Sequence, residues 1–239
     1  MPGVSTTRAQ RSIDAIVRRA RARGERALSE HDSKRIVAAY GVPVARERLV
    51  KTAAEARDAA RRIGYPVVLK ISAAGASHKT ERGLVAVGIA NDTALRRAVA
   101  TLRERAGDRE DGGLLVQEMI RGPRELVIGM TRDPVFGPCV MFGLGGIFTE
   151  ILGDVVFRLA PLERGDALAM LDGIRAHRML GAVRGLKAVD RDALGASLMA
   201  VGRLGLERPE IAQIDVNPLI VRDDRPIAVD ALVVLSEAS

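Results

Sequence analysis

Three side chains that carry oxygen ligands lie close together in the C-terminal part of the sequence. Asp215 and Asn217 alternate within the apolar segment 211–221, so both point to the same face of a strand. Asp230 lies in the next apolar segment, 227–235, and a hairpin that joins the two segments can bring it opposite Asn217. Hard cations such as Mg²⁺ take oxygen ligands of this kind. The pattern predicts a magnesium site or, about equally well, solvated strand residues.

A lysine interrupts the apolar segment 67–71. Lys70 stands between Leu69 and Ile71 in a run that is typical of a β-strand. An exposed lysine on an edge strand is the commoner case and needs no function. A lysine inside a polar cleft would instead place its charge within reach of phosphate groups. The sequence pattern leaves both interpretations open.

The loop that follows this strand, 72–82, has a composition suited to a phosphate-facing loop. It contains small residues and hydroxyls together with His78 and Lys79. It is not a Walker A motif, because histidine and not glycine stands directly before Lys79. Taken alone, His78 is more often an incidental loop histidine than a catalytic one.

Two glutamates flank a turn between two further predicted strands. One strand ends in residues 117–120, which include Glu118, and the next opens near Glu125. An adenine ring needs alternating backbone donors and acceptors from an extended segment, and a carboxylate a few residues later can accept ribose hydroxyls. By pattern alone this signal is weak, because a glutamate at a strand end is usually solvated.

The composition excludes several classes of protein. Of the 239 residues, 47% are hydrophobic, 28% are charged and 3% are aromatic, as in a globular protein with an aliphatic core. No segment approaches the roughly 18 apolar residues of a membrane span, and arginines interrupt the region where a signal peptide would be apolar. The single cysteine, Cys139, cannot form an internal disulfide. We expect a cytoplasmic protein with no membrane contact.

Most of the positive charge lies near the N-terminus. The net charge is +7, and residues 1–26 hold seven arginines against Asp14 and Glu25. The apolar residues of this segment recur at helical spacing: Ile13, Ile16, Val17 and Ala20. A helix with a solvated basic face, at the surface or at a subunit contact, therefore explains the charge better than a nucleic-acid arm. Because aromatic stacking residues are scarce, we expect no nucleic-acid partner.

The order of predicted elements favours an α+β fold with two lobes. The patterns predict helices over 1–30, 34–40, 53–63, 92–106, 165–171 and 192–204, and strands over 67–71, 84–89, 114–120, 125–130, 139–144, 155–159, 211–221 and 227–235. Helices and strands alternate in the first hundred residues, and strands dominate afterwards. We expect a basic N-terminal extension over 1–27, an N-terminal lobe over 28–110 and a C-terminal lobe over 111–239.

Taken in order, these features resemble the ATP-grasp domain of ADP-forming acetyl-CoA (acyl-CoA) synthetases, a family related to the succinyl-CoA synthetase beta subunit. The resemblance covers residues 28–235. Eight segments carry it: SE…SK…YGVPV (29–44), GYPVVLK (64–70), HKT (78–80), VQEMI (116–120), RELVIG (124–129), FGLGGIF (142–148), FRLAP (157–161) and DVNPL (215–219). An ordered series of this length is not a chance match. The resemblance implies an ATP-grasp fold in which two lobes enclose a nucleotide cleft.

The same resemblance implies roles for the nucleotide-binding residues. Lys70 and Lys79 would contact the phosphates of ATP or ADP, with Arg158 as a further phosphate contact. Glu125 would hold the ribose. The adenine hinge would consist of Gln117, Glu118, Met119 and Ile120.

The resemblance also implies a metal site and a phosphoryl carrier. Asn217 and Asp230 would ligate Mg²⁺, with Asp215 nearby. His78 matches a histidine that this family phosphorylates transiently. It would pass the phosphoryl group between a histidine of the alpha subunit and the nucleotide.

The chain departs from the family pattern in one loop and lacks part of the machinery. Residues 81–84, with the sequence ERGL, replace the usual Asp and paired glycines after the His-Lys loop. The CoA-binding and alpha-type phosphohistidine domains are missing. We therefore expect a separate alpha subunit, carrying a second phosphohistidine, that binds the acyl-CoA or carboxylic acid in a hetero-oligomer.

The sequence also allows two alternative functions. One is an ATP-grasp ligase of another kind, which joins a carboxylate to an amine or a thiol without a partner. The other is a non-catalytic nucleotide-sensing module, such as that of a protein acyltransferase, which would bind ATP without using His78.

Overall fold

The computed structural model describes residues 8–72, 83–107, 113–146 and 153–237. Its helices are α1 (Arg8–Ala22), α2 (Glu30–Ala39), α3 (Ala53–Ile63), α4 (Asp92–Ala106), α5 (Arg164–Gly173) and α6 (Arg191–Glu207), with a 3₁₀ turn at His177–Leu180. Its strands are β1 (Glu47–Val50), β2 (Val67–Ile71), β3 (Val85–Ile89), β4 (Leu114–Glu118), β5 (Glu125–Asp133), β6 (Gly137–Leu144), β7 (Val155–Leu159), β8 (Ile211–Arg222), β9 (Arg225–Ala228) and β10 (Leu232–Leu235). Within these ranges no helix is both long and apolar enough to cross a membrane.

Side-chain caps fix where the helices begin. The Ser29 hydroxyl accepts a hydrogen bond from the backbone N–H of Asp32, so α2 begins at Glu30. The sequence pattern predicts a later start for this helix, at Lys34. The earlier start puts Glu30 and Lys34 on one helix face, four residues apart. Thr52 and Glu55 form a reciprocal capping box that starts α3 as predicted.

Four antiparallel strands form the first sheet, called the small sheet here, in the order β1-β4-β2-β3. Helices α3 and α4 pack against it and share its hydrophobic core. Strand β2 lies between β4 and β3, and each of its residues is buried. Lys70 is therefore not an edge-strand lysine, since its side chain lies inside the protein and is 7% exposed.

The second sheet, called the large sheet here, has six strands in the order β10-β8-β5-β6-β7, and β9 also pairs with β8. All of these pairs are antiparallel. Helices α5 and α6 pack against one face. We call the opposite face the open face. Helices and antiparallel sheets coexist throughout, so the predicted α+β class is confirmed.

Two segments belong to a different sheet from the one to which the predicted lobe boundary would assign them. Strand β4, in the predicted 111–239 lobe, pairs with β1 and β2 of the small sheet. Helix α2, in the predicted 28–110 lobe, contributes Ile36 and Val37 to the core of the large sheet. The apolar side of α1 joins that same core. The predicted boundary follows the change from alternating helices and strands to mostly strands, whereas long-range strand pairing and helix packing decide which core each segment enters.

The C-terminal hairpin keeps one register from Arg225 to Val234, and the register shifts between Val234 and Leu235. Ala228 on β9 lies opposite Leu219, and Leu232 on β10 lies opposite Asp215. Residues 229–231 interrupt the partner strand between these two pairs. The register on both sides places Asp230 at the level of Asn217, as the hairpin pattern had indicated.

Candidate functional site

The oxygen ligands of β8 lie on the open face of the large sheet. Ile214 and Val216 are buried in the core beneath the helices. Asp215 and Asn217 alternate with them and are partly buried on the other side. Asp230 approaches from the partner strand, and its side chain is 42% exposed. The structure thus brings the three predicted metal ligands to one edge of the open face.

The two carboxylates in this group influence each other. Burial, followed by the negative charge of Asp230, raises the pKa of Asp215 from 3.8 to about 6. Removal from water and a nearby negative charge both disfavour the ionised form of a carboxyl group. A bound divalent cation would favour the ionised form of both groups.

Lys70 reaches this acidic group from the small sheet. Its Nζ donates to Glu30 Oε1 at 2.6 Å and to the carbonyl oxygen of Val229 at 3.0 Å. The same nitrogen lies 4.0 Å from Oδ2 of Asp230. An ammonium group from one sheet therefore meets carboxylates of the other at the cleft between the two sheets.

A second lysine, Lys34 on α2, lies behind Lys70 and was not predicted. Its Nζ donates to Glu30 Oε1 at 2.8 Å and forms an ion pair with Glu47. Burial alone would lower the pKa of Lys34, but the charges of Glu30 and Glu47 outweigh it and raise that pKa above its ordinary value. The signal was present in the SE…SK segment, which the sequence comparison used without assigning a role.

The side chain of Gln117 hydrogen-bonds to both Lys34 and the Val229 carbonyl. Its Oε1 accepts from Lys34 Nζ at 3.1 Å, and its Nε2 donates to the Val229 carbonyl at 3.0 Å. The side chain is 2% exposed, between the two sheets. A direct role of this amide at an adenine ring would require it to leave these partners.

Glu118 also has partners of its own. Its carboxylate accepts from Arg46 Nε at 2.9 Å and from Arg222 Nη1 at 2.6 Å. The Arg46 hydrogen bond, with a smaller contribution from Arg222, lowers the pKa of Glu118 although its partial burial acts in the opposite direction. Its backbone N–H donates to the carbonyl of Arg46. A hinge contact from Gln117 or Glu118 would therefore use their backbone groups and not their side chains.

Glu125 lies at the start of β5, exposed, beside the glycine-rich bend. A Cβ on Gly146 would lie 2.6 Å from Oε2 of Glu125, and Gly146 has φ +65°. The positive φ favours glycine at 146, whereas the exposed end of the Glu125 side chain could move away from an added Cβ. Glu125 lines a cavity of about 420 Å³ together with Arg124, whose guanidinium donates to carbonyl oxygens around the 3₁₀ turn.

The structure does not bring Arg158 to this group. Its side chain forms an ion pair with Asp166 on α5, which packs on the helix-covered face of the large sheet. Strand β7 is also separated from β8 by β5 and β6, which amounts to roughly 14 Å at ordinary strand spacing. The sequence prediction overlooked that Arg158 and the open-face residues lie on opposite sides of the sheet. His78 and Lys79 lie outside the described residues.

The chemistry of this group suits a magnesium–nucleotide complex. Among the described residues no three His, Cys, Asp or Glu side chains are arranged to hold a metal ion by themselves. Asp215 and Asp230 supply two carboxylates, and Asn217 adds an amide oxygen. Mg²⁺ commonly takes one or two carboxylates, keeps several waters and completes its shell with substrate phosphates. The donor set fits that mode of binding.

Comparison with known proteins decides the family. The sequence profile of the ATP-grasp domain matches residues 19–235. The beta subunit of ADP-forming acetate–CoA ligase I from Pyrococcus furiosus is 43% identical over 92% of this chain and 96% of that protein. The chain belongs to the ATP-grasp family of ADP-forming acetate–CoA ligase beta subunits. The predicted family and fold are confirmed.

Two solved structures and one longer protein are also similar to this beta-type chain. The dinucleotide-forming acetyl-coenzyme A synthetase 1 of Ca. Korarchaeum cryptofilum, with coenzyme A, Ca-AMPCP and HgCl⁺, has a TM-score of 0.89 at 40% identity, covering 93% of this chain and 99% of that chain. Its complex with coenzyme A and Mg-AMPPCP, with a phosphohistidine segment pointing towards the nucleotide site, has a TM-score of 0.84 at 39% identity, covering 94% and 100%. The ADP-forming acetate–CoA ligase I of Archaeoglobus fulgidus is 39% identical over 84% of this chain but 30% of that protein.

The raised pKa of Asp215 gives a pH-dependent prediction for the protein without divalent cations. The folded protein binds this proton more tightly than the unfolded chain, so stability present below pH 3.8 is lost as the pH rises through about 6. Between about pH 4 and about pH 7, the free energy of unfolding of the wild type should fall by roughly 2–3 kcal/mol relative to Asp215→Asn. Urea unfolding in EDTA measures the difference. If the free energies of unfolding of the two proteins changed with pH in parallel, the raised pKa of Asp215 would be wrong.

Proposed function

We propose that this chain is the nucleotide-binding subunit of an ADP-forming acyl-CoA synthetase, an acid–thiol ligase. The overall reaction is acyl-CoA, ADP and phosphate to carboxylic acid, CoA and ATP, in either direction. The observation that carries the proposal is the position of the Lys70 ammonium, 4.0 Å from the Asp230 carboxylate, which in turn lies close enough to Asp215 to raise its pKa. The likeness to acetate–CoA ligase beta subunits over nearly the whole chain supports it.

The polyphosphate of ADP or ATP would lie between these groups. Lys70 would donate to phosphate oxygens from its fixed position on β2, and Lys79 would approach from the loop. Asn217 and Asp230 would hold Mg²⁺, with Asp215 as a further ligand. When bound, Mg²⁺ neutralises charge on the phosphates and lowers the barrier to phosphoryl transfer. The pairing of Arg158 with Asp166 on the helix-covered face does not favour Arg158 as a phosphate contact.

The nucleoside would extend from this point along the open face. Glu125, exposed at the start of β5, can accept hydrogen bonds from ribose hydroxyls. The backbone of residues 117–120 would bind the adenine, because the side chains of Gln117 and Glu118 are engaged elsewhere. Ile120 is buried and offers apolar surface to the ring.

A partner would complete the reaction. The family contains separate beta subunits and also longer chains in which this domain is one part. We propose a CoA-binding alpha subunit that carries a second phosphohistidine and binds the acyl-CoA or carboxylic acid. His78 would accept the phosphoryl group on a ring nitrogen and transfer it to the terminal phosphate of ADP, which regenerates the neutral imidazole. A reducing cytoplasm fits the single cysteine.

The nucleotide site can be tested on the isolated chain. Lys70→Met removes the charge but keeps most of the side-chain volume. It should weaken Mg·ADP binding roughly 10- to 100-fold, because a charge-assisted hydrogen bond to phosphate is lost. Isothermal titration calorimetry measures the affinity.

Lys51→Met is the matched control, because Lys51 is exposed outside the cleft. It should bind Mg·ADP as the wild type does. If the folded wild type showed no affinity for Mg·ADP, the proposed function would be wrong. Equal affinities of Lys70→Met and Lys51→Met would mean that the phosphates lie elsewhere.

The carrier role of His78 requires the partner. In a complex reconstituted with the alpha subunit, His78→Ala should abolish ATP formation from acyl-CoA, ADP and phosphate. Nucleotide affinity should remain nearly unchanged, because His78 transfers the phosphoryl group and does not hold the nucleotide. Incubation of the wild type with radiolabelled phosphate and acyl-CoA should leave acid-labile, base-stable label on this chain. Turnover of the His78→Ala complex at the wild-type rate would exclude the carrier role.

A further inference from the structure

We infer that Glu30 and Lys34 on α2 are positioning residues for the metal and phosphate end of the site, an inference that rests on the proposed function. Neither residue needs to touch the nucleotide. Both are almost completely buried, with 3% and 1% of their surface exposed. They act through Lys70 and through the backbone that carries Asp230.

Glu30 controls where the Lys70 ammonium lies. Its Oε1 accepts from Lys70 Nζ at 2.6 Å and from Lys34 Nζ at 2.8 Å. Lys70 Nζ is 4.0 Å from Asp230 Oδ2, which is longer than a hydrogen bond. Without the Glu30 carboxylate, the nearest anionic partner of Lys70 would be Asp230. Glu30 thus keeps the phosphate-binding lysine from closing onto a proposed metal ligand.

Lys34 acts on the metal ligand through the main chain. The carbonyl oxygen of Val229 accepts from Lys34 Nζ at 3.4 Å, from Lys70 Nζ at 3.0 Å and from Gln117 Nε2 at 3.0 Å. Val229 is the residue immediately before Asp230, in the interrupted part of the hairpin partner strand. Three donors therefore hold the peptide that orients the Asp230 side chain.

The charges of the network balance, which explains how four ionised groups can be buried together. Lys34 and Lys70 face the carboxylates of Glu30 and Glu47. Deleting one charge leaves another buried without a partner, and the protein can fail to fold for that reason alone. A test must therefore remove a positive and a negative charge together.

The test uses the full chain and two probes, Mg·ADP and adenosine. Adenosine has no phosphates, so its binding does not depend on Lys70 or the metal ligands. The double variant Lys34→Met/Glu47→Gln removes one charge of each sign. It also removes one of the three donors to the Val229 carbonyl. The control, Arg208→Met/Asp14→Asn, removes a partly buried ion pair outside the cleft.

The double variant in the network should bind Mg·ADP about 10- to 100-fold more weakly than the wild type, as is typical when groups that orient a metal ligand are lost. Its adenosine affinity should be unchanged, and the control should bind both probes normally. Normal Mg·ADP affinity in the network variant would overturn the inference. Equal weakening for Mg·ADP and adenosine would also overturn it, because that result indicates a general structural role.

A second variant keeps the inference testable if the first does not fold. Glu30→Gln/Lys34→Met also removes one charge of each sign, keeps an acceptor oxygen at position 30 and removes the charge that holds Lys70. It should lose Mg·ADP affinity while retaining adenosine affinity, and unchanged Mg·ADP affinity would overturn the role of Glu30. If the wild type binds adenosine but not Mg·ADP, the proposed function fails at its metal site, independently of these variants.

Discussion

The site depends on the contacts that the buried ammonium group of Lys70 makes. This group is buried between the two sheets, where a charge without partners would be very costly. Glu30 and the Val229 carbonyl, both attached to the large sheet and its core, supply those partners. The same contacts fix the distance between the sheets at one end of the cleft. A phosphate chain that enters there meets a lysine already held in place.

The arrangement separates positive and negative groups along the cleft. Lys70 stands on the small-sheet side, and the Asp215 and Asp230 carboxylates stand on the open face of the large sheet. A magnesium–nucleotide complex has the complementary distribution, because its phosphates match the lysine and its cation matches the carboxylates. Burial, and after it the negative charge of Asp230, raises the pKa of Asp215. A bound metal complex would favour the ionised form of both carboxylates.

Local sequence patterns predicted the parts of this site that depend on local geometry. The alternation of Asp215 and Asn217 and the hairpin register of Asp230 follow from strand periodicity, and the ordered motifs identified the family. Whether β2 was an edge or an inner strand could not be predicted, because pairing partners lie far away in sequence. For the same reason the patterns did not show that Arg158 faces α5. The start of α2 was missed because several residues near 29–33 can cap a helix.

Whether the C-terminal hairpin holds the metal can be seen directly in a crystal structure. Crystals grown with Mn·ADP, in which the anomalous signal of manganese marks the metal, would locate the metal without reference to function. The proposed site predicts that oxygen atoms of Asp230 and Asn217 lie within about 2.0–2.6 Å of the metal and that Lys70 Nζ donates to a phosphate. A metal held by phosphates and water away from the C-terminal hairpin would contradict it.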